Sequence, residues 1–452
     1  MKKTIYLVVV IFFLISCKTE KKENMTEEIK TISAISDEDL ETAIIYEANI
    51  RQYSPEGTFN EFTKDIPQLK ELGVKIIWVM PIYPISTTKS KGSLGSYYAV
   101  SDYTKVNPEF GNLEDVKALV KTAHDNDMYV IFDWVANHTG WDHVWLKEHP
   151  EYYTKNEKGE ITHPVNTDWN DVADLNYDNQ EMRVEMANAL KYWVKEVNID
   201  GYRCDMAGMV PVDFWEHTIE ELKKIKPVFM LAEAWEPNLL ENAFDMAYGW
   251  DTHHRMNDIA QGKETVKAWD DRMAQIDTLY AEDDILMNFV TNHDENSWNG
   301  TVKERMGAAS ETMLALSYLA PGMPLIYSGQ EYDMDKRLRF FEKDTIIKQK
   351  GKVWPLMQKL AELKKNNKAL NGGKNAASYT KIHSSDDEKI LIFLREKEGD
   401  KITFMANLSK NDVEFTSEKE GESIDFFTNE KMEFSKDKKI VLKAWEHKIY
   451  FD

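Results

Sequence analysis

Eight short apolar runs, repeatedly interleaved with amphipathic segments, set the tightest limit on how this chain can fold. The runs lie near Ala43–Arg51, Lys75–Pro81, Met128–Val135, Ile199–Asp205, Val228–Glu233, Phe244–Tyr248, Ile285–Thr291 and Pro324–Ser328. Between them, Thr58–Leu72, Leu113–Asp127, Gln180–Val197, Val212–Ile225 and Val302–Leu319 space their apolar residues three and four apart, as helices do. Continuous apolar strands alternating with such helices predict a parallel sheet covered by helices. Eight repeats predict closure into a (β/α)8 TIM barrel over residues 42–370.

Two stretches depart from the repeat. Residues 137–177 are rich in Trp, His, Asp and Asn and lack the period of one helix, so they predict an inserted subdomain, about 138–177, after the third strand. After the helical pattern Val353–Lys368, short alternating runs begin: Ala377–Ile382, Lys389–Arg395, Ile402–Ala406, Ser423–Asp425, Ile440–Leu442 and His447–Phe451. They predict a C-terminal antiparallel β-sandwich over 375–452, which holds no catalytic cluster.

The N-terminus carries a different message. Lys2 and Lys3 precede an apolar stretch from Ile5 to Ile15, too short to span a bilayer and suited to a signal-peptide core. Leu14-Ile15-Ser16-Cys17 resembles the lipobox of bacterial lipoproteins, which implies that residues 1–17 are a signal, that Cys17 is lipidated and that the mature protein sits in the cell envelope, at the outer membrane. Residues 18–41 are charged and read as a flexible tether. Cys204 is the other cysteine, so one thiol remains and no internal disulfide is expected. The net charge of −22 repels phosphate backbones, which argues against a nucleic-acid partner and favours a neutral ligand.

Chemistry is indicated by three carboxylates at the ends of apolar runs: Asp205, Glu233 and Asp294. A barrel keeps its active site at the carboxyl ends of its strands, where these acids fall. The surrounding strings are Asp133-Trp134-Val135-Ala136-Asn137-His138, Gly201-Tyr202-Arg203-Cys204-Asp205, Ala232-Glu233 and Asn292-His293-Asp294. Asp174-Leu175-Asn176 and Tyr98-Ala99-Val100-Ser101-Asp102-Tyr103 add two more. Together and in this order they resemble the conserved regions of the α-amylase superfamily, glycoside hydrolase family thirteen, over roughly residues 42–452.

The resemblance implies a retaining glycoside hydrolase that cleaves α-1,4-glucosidic bonds of starch or maltooligosaccharides through a covalent glycosyl-enzyme intermediate. Asp205 would be the nucleophile, Glu233 the general acid/base, and Asp294 a ligand of sugar hydroxyls that favours the distorted ring. Glu233 lies in an apolar run near a second acid, so burial and like charge should keep it protonated. Arg203, two residues before Asp205, shares its face and could hold it ionised. His138, His293 and Asn292 would contact sugar hydroxyls, and Tyr98 would stack on the ring; Trp134, Trp141, Trp169 and Trp235 are further candidate platforms. A structural calcium ion is implied on Asn137, Asp174 and the backbone carbonyl of Met209. Many relatives carry Lys and His where this chain has Gly208 and Met209, so substrate length and the choice between hydrolysis and transfer stay open. Alternatives are an α-glucosidase, a neopullulanase or a 4-α-glucanotransferase on the same site, a surface glycan-binding lipoprotein on an inactive barrel, or a transport accessory protein.

Overall fold

The computed structural model describes residues 34–452; the signal-like segment, Cys17 and most of the tether lie outside the described residues. Three strands open the barrel: β1 (Ile45–Ala48), β2 (Ile76–Val79) and β3 (Tyr129–Val135). An antiparallel pair, β4 (His138–Gly140) and β5 (Val172–Asp174), then forms the inserted subdomain. The barrel resumes with β6 (Gly201–Asp205), β7 (Phe229–Ala232), β8 (Met246–Tyr248), β9 (Ile285–Asn288) and β10 (Met323–Tyr327). It closes in the order β1-β10-β9-β8-β7-β6-β3-β2, every neighbour parallel.

Period two sorts the side chains of each strand. Ile45, Ile76, Ile131, Phe229, Leu231 and Met246 pack together inside the barrel, while Tyr46, Ile77, Val130, Phe132, Tyr202 and Met230 join the core beneath the helices. Gly201 shows how closely β6 and β7 approach. Its φ is +150°, and an added Cβ would lie 1.8 Å from the Phe229 carbonyl oxygen, so no larger residue can start this strand.

The structure redraws several sequence boundaries. Residues Asp37–Thr42, expected in the tether, form a helix whose Ser36 cap and Asp39 make a reciprocal capping box, and Leu40 packs into the inner barrel cluster. One leucine in an acidic run gives no helical period, which is why the tether appeared to reach residue 41. The first run yields only four strand residues because Asn49 caps a helical turn, Ile50–Tyr53. Thr58–Leu72 divides into Phe59–Thr63 and Ile66–Glu71, with Pro67 in the first turn of the second. Val302–Leu319 divides at Gly307, whose φ of +52° breaks the helix.

Beyond the barrel, β11 (Ser378–Lys381), β12 (Ile390–Lys397), β13 (Asp400–Asn407), β14 (Val413–Phe415), β15 (Gly421–Asp425), β16 (Lys431–Phe434), β17 (Ile440–Leu442) and β18 (His447–Phe451) build the C-terminal domain. A six-stranded sheet, β11-β12-β13-β18-β15-β16, carries the β14-β17 ribbon on one face. Ile390 and Ile392 face the ribbon residues Val413, Phe415, Ile440 and Leu442, while Leu391 and Phe393 face the barrel's core. Buried Arg395 fastens the two parts by donating to the carbonyls of Leu319, Asn371, Ala377 and Ser378.

Candidate active site

The inward positions that bury hydrocarbon low in the barrel become charged near the carboxyl ends of the strands. Register sets Asp133 of β3 beside Arg203 of β6, and Val135 beside Asp205. Arg203 is wholly buried, and its Nη1 lies 2.9 Å from Asp133 Oδ1 and 3.0 Å from Asp205 Oδ1. Its Nη2 stands 2.9 Å from Glu233 Oε2, an ion-pair contact without hydrogen-bond alignment. Nε donates to Tyr248 Oη at 3.1 Å, so β8 helps fix the guanidinium plane. One cation therefore holds three acids that would otherwise repel one another in a desolvated site.

The turn after the nucleophile candidate is shaped to hold the acid candidate. Met206 adopts left-handed backbone (φ +44°), a conformation that costs a residue with a Cβ about 1–3 kcal/mol. In return its N–H donates to Glu233 Oε2 at 2.9 Å, while Ala207 N–H binds the Glu233 carbonyl. Burial is the main force raising the Glu233 carboxyl, to about 7; Arg203 opposes it, and Asp205 and Asp294 add to it. Burial also raises Asp205, against the pull of its hydrogen bond from Arg203. Of the two, Glu233 keeps its proton more readily. Asp205 and the more readily protonated Glu233 thus stand on either side of a single guanidinium.

A second network lies beside the first. Tyr98 Oη donates to Asp133 Oδ2 at 3.1 Å and meets His293 Nε2 at 2.8 Å, with the two rings stacked 5.4 Å apart. His293 Nδ1 lies 2.6 Å from Glu47 Oε1. Desolvation opposes a charge on His293, but Asp294 and Glu47 outweigh it and raise the imidazole to about 9, so it carries two N–H donors at neutral pH. Asp294 keeps 35% of its side-chain area exposed, 3.4 Å from His293 Nε2. Burial lowers His138 to about 4, which leaves that ring neutral.

A cavity of about 420 Å³ opens over these groups, lined by Tyr98, His138, Asp205, Glu233, His293 and Asp294. Those six expected residues are brought together, and Arg203 lies beneath them. Asn292 is placed differently. It is fully buried and absent from the cavity wall, and its Oδ1 accepts from Glu295 N–H, so it shapes the turn after β9 rather than meeting a sugar. Among the tryptophans, Trp169 lines the cavity and Trp235 is 54% exposed, whereas Trp134 lies in the core against Tyr103. Sequence reasoning did not pick out Glu47, Asp133, Tyr248 or Trp78, whose Nε1 donates to Asp133 Oδ2 at 3.1 Å, as site residues. Asp133 stood in a quoted motif, and its place two residues after Ile131 on the inward side was the usable signal.

The expected calcium donors come from three separate segments of the chain. Strands β4 and β5 set Asn137 near Asp174, since Leu175 N–H donates to the Asn137 carbonyl, but Asn137 Nδ2 faces His138 Nδ1 at 3.2 Å. Asp174 is the one carboxylate of the set, with its carboxyl raised by burial. Met209 ends the short turn Ala207–Met209 and is 40% exposed. Calcium takes six to eight oxygen ligands. Among the described residues no group of three or more His, Cys, Asp or Glu forms a metal cluster, so a calcium ion here would draw on the Asn137 amide oxygen and the Met209 carbonyl, with Asp174 as its carboxylate.

Comparison with known proteins agrees with this geometry. The profile of the alpha amylase catalytic domain matches residues 32–160 and 163–389, and that of the maltogenic amylase C-terminal domain matches 379–449. The crystal structure of a noncanonic maltogenic alpha-amylase from Thermotoga neapolitana superimposes with a TM-score of 0.83 at 30% identity, covering 91% of this chain and 99% of that one. An alpha-amylase from Lactobacillus plantarum gives 0.82 at 31% identity, covering 92% and 99%. A cyclomaltodextrinase from Thermoanaerobacter pseudethanolicus is 27% identical over 396 residues, 80% of this chain and 65% of the relative, so the chain spans just under two thirds of that protein's length. By its matched residues and its fold, the chain belongs to the alpha-amylase family, with a maltogenic-amylase-type C-terminal domain.

Proposed function

We propose that this protein is a retaining glycoside hydrolase that cleaves α-1,4-glucosidic bonds in starch-derived chains and maltooligosaccharides. The observation that carries this reading is the Arg203 clamp, with Asp205 on one side and a protonated Glu233 on the other. Asp205 Oδ attacks the anomeric carbon as its bond to the glycosidic oxygen breaks, and Glu233 gives its proton to that departing oxygen. The ionised Glu233 then takes a proton from water, whose oxygen displaces Asp205 and restores the starting anomer. Asp294 and the doubly protonated His293 bind hydroxyls of the ring, and Tyr98 stacks on it. The names of the relatives support an α-glucan substrate.

The test incubates the full chain, kept in detergent, with amylose, pullulan and maltotriose while proton NMR follows new reducing ends. Early α-anomer from the wild type and none from Glu233→Gln supports the reading. Binding of glucan without cleavage by either protein would replace it with a glycan-binding role.

The lipobox-like Leu14–Cys17 supports a second proposal: the enzyme is anchored in the bacterial envelope through lipid on Cys17. Cys17→Ser should move the protein from the membrane fraction to the soluble one; unchanged fractionation counts against the anchor.

A further inference from the structure

The three active-site acids are not held alike. Asp205 accepts a hydrogen bond from Arg203, and Glu233 accepts one from the Met206 N–H. Among the described residues no hydrogen bond reaches the Asp294 carboxylate; the His293 imidazole stands 3.4 Å away as an ion-pair contact. A half-exposed carboxylate without a hydrogen bond takes its direction from the backbone that carries it. For Asp294 that backbone is the turn after β9.

The winding of this turn is uncommon. Glu295–Asn299 form one wide π-type turn, closed by the Gly300 N–H donating to the Glu295 carbonyl at 2.8 Å. Such turns are rare and frequently occur at functional sites. Here the turn buries Glu295, which does not line the cavity, and leaves Trp298 exposed on the cavity wall. Asn296, also buried, ties the turn to the loop after β10: its Oδ1 accepts from Leu338 N–H at 2.8 Å and its Nδ2 donates to the Lys336 carbonyl at 3.0 Å.

Glu295 is the centre of a second set of contacts. Its Oε1 accepts from Asn299 Nδ2 at 2.9 Å, and its Oε2 lies 3.2 Å from His253 Nε2 and 3.5 Å from Arg305 Nη1. Burial opposes the charge on Glu295, but His253, Arg305 and Asn299 outweigh it and bring the carboxyl down to about 2. The partners are themselves fixed. His253, on the helix Trp250–Gln261, donates from Nδ1 to the Phe289 carbonyl at 2.9 Å. Arg305, on the helix Val302–Met306, donates to the Gly300 carbonyl at 3.0 Å, to Asn257 Oδ1 at 2.6 Å and to the Val290 carbonyl at 2.6 Å. Phe289 and Val290 lead from β9 toward Asp294, and Gly300 ends the turn, so the cluster grips this segment on both sides of the acid.

We propose that Glu295, braced by His253 and Arg305, is the positioning residue for Asp294: the buried cluster fixes the turn and so aims an acid that has no hydrogen bond of its own. Glu295 touches no substrate and acts only through Asp294. This inference rests on the hydrolase reading above.

The experiment measures kcat, KM and Tm of the full chain in detergent, with a chromogenic aryl α-maltotrioside as substrate. It compares the wild type, Glu295→Gln, Asn299→Ala and Asp294→Asn with the two double variants that add Asp294→Asn to each of the others. Glu295→Gln should lower kcat about 30-fold, roughly 2 kcal/mol in barrier, and leave KM within about twofold. Asn299→Ala, a milder change at an exposed residue, should lower kcat about fivefold. In the Asp294→Asn background each change should lower kcat by less than about twofold, because a carboxylate that is absent cannot be misdirected. A merely structural role would lower Tm and reduce kcat by the same factor in both backgrounds. Equal factors in the two backgrounds, or wild-type kcat in both Glu295→Gln and Asn299→Ala, would overturn the proposal. If Glu295→Gln does not fold, the cycle of Asn299→Ala with Asp294→Asn decides by the same criterion. A wild type that leaves the substrate uncleaved would instead remove the hydrolase reading.

Discussion

The lower and upper halves of the barrel interior are built on the same strands, often two residues apart, and obey opposite rules. Ile131, Leu231 and Met246 fill the lower half with hydrocarbon, whereas Asp133, Glu233 and Tyr248 occupy the next inward positions above them. Below, each side chain is held by dispersion and exclusion of water, and any one is replaceable by another of similar volume. Above, each polar group is held by a specific partner, and Arg203 alone serves Asp133, Asp205, Glu233 and Tyr248. The difference teaches where the protein keeps tolerance and where it does not. A hydrophobic layer loses stability when altered; a charged layer loses its protonation states.

The largest expected effect that would sharpen this contrast is on turnover. Glu233→Gln should lower kcat for maltooligosaccharides about 10³-fold without raising KM, because it removes a proton donor and leaves the shape of the cavity. The wild-type pH profile should match. Glu233 is protonated below about 7, so kcat should fall as pH rises through that value, and it should fall again in acid as Asp205 gains a proton. A profile flat from neutral to pH 9 would contradict the role given to Glu233.

Arg203→Leu tests the clamp itself. Leaving three buried acids without their cation should cost about 3–5 kcal/mol in denaturant unfolding, and activity should vanish with it. The matched change in the lower half, Leu231→Ala, should cost about 2–5 kcal/mol by cavity formation yet leave kcat within a few-fold of wild type. Should Leu231→Ala shift the pH profile, the two halves would not be independent in the way described.

The smallest effect concerns Glu47. His293 is raised from 6.5 to about 9 in the folded protein, so its charge contributes stability fully below pH 6.5, and that contribution is lost as pH rises through about 9. Glu47→Gln should flatten the fall of Tm between pH 6.5 and 9. An unchanged slope would show that Asp294 alone holds the imidazolium.

The barrel was legible because its signal is repeated and local. The strands are buried on both sides and lie in mostly apolar runs, and those at Tyr129–Val135 and Gly201–Asp205 fell within their expected spans. The sheet order of the C-terminal domain was not legible. Strands β14 and β16 were missed because Val413-Glu414-Phe415 and Lys431–Phe434 offer too few alternating apolar residues to stand out from charged turns. Asn292 was placed in the site because it sits beside His293 in the motif, but one residue along a turn was enough to aim it into the protein.

By itself the sequence determined the repeat, the strand ends and the three acids, because hydrophobic periodicity and residue identity act over a few neighbours. Only the tertiary structure decided which acids share the Arg203 guanidinium and which histidine is charged. Those properties depend on contacts between residues far apart in the chain, such as Glu47 with His293 and Asp133 with Arg203, and on the loss of water that packing imposes on them.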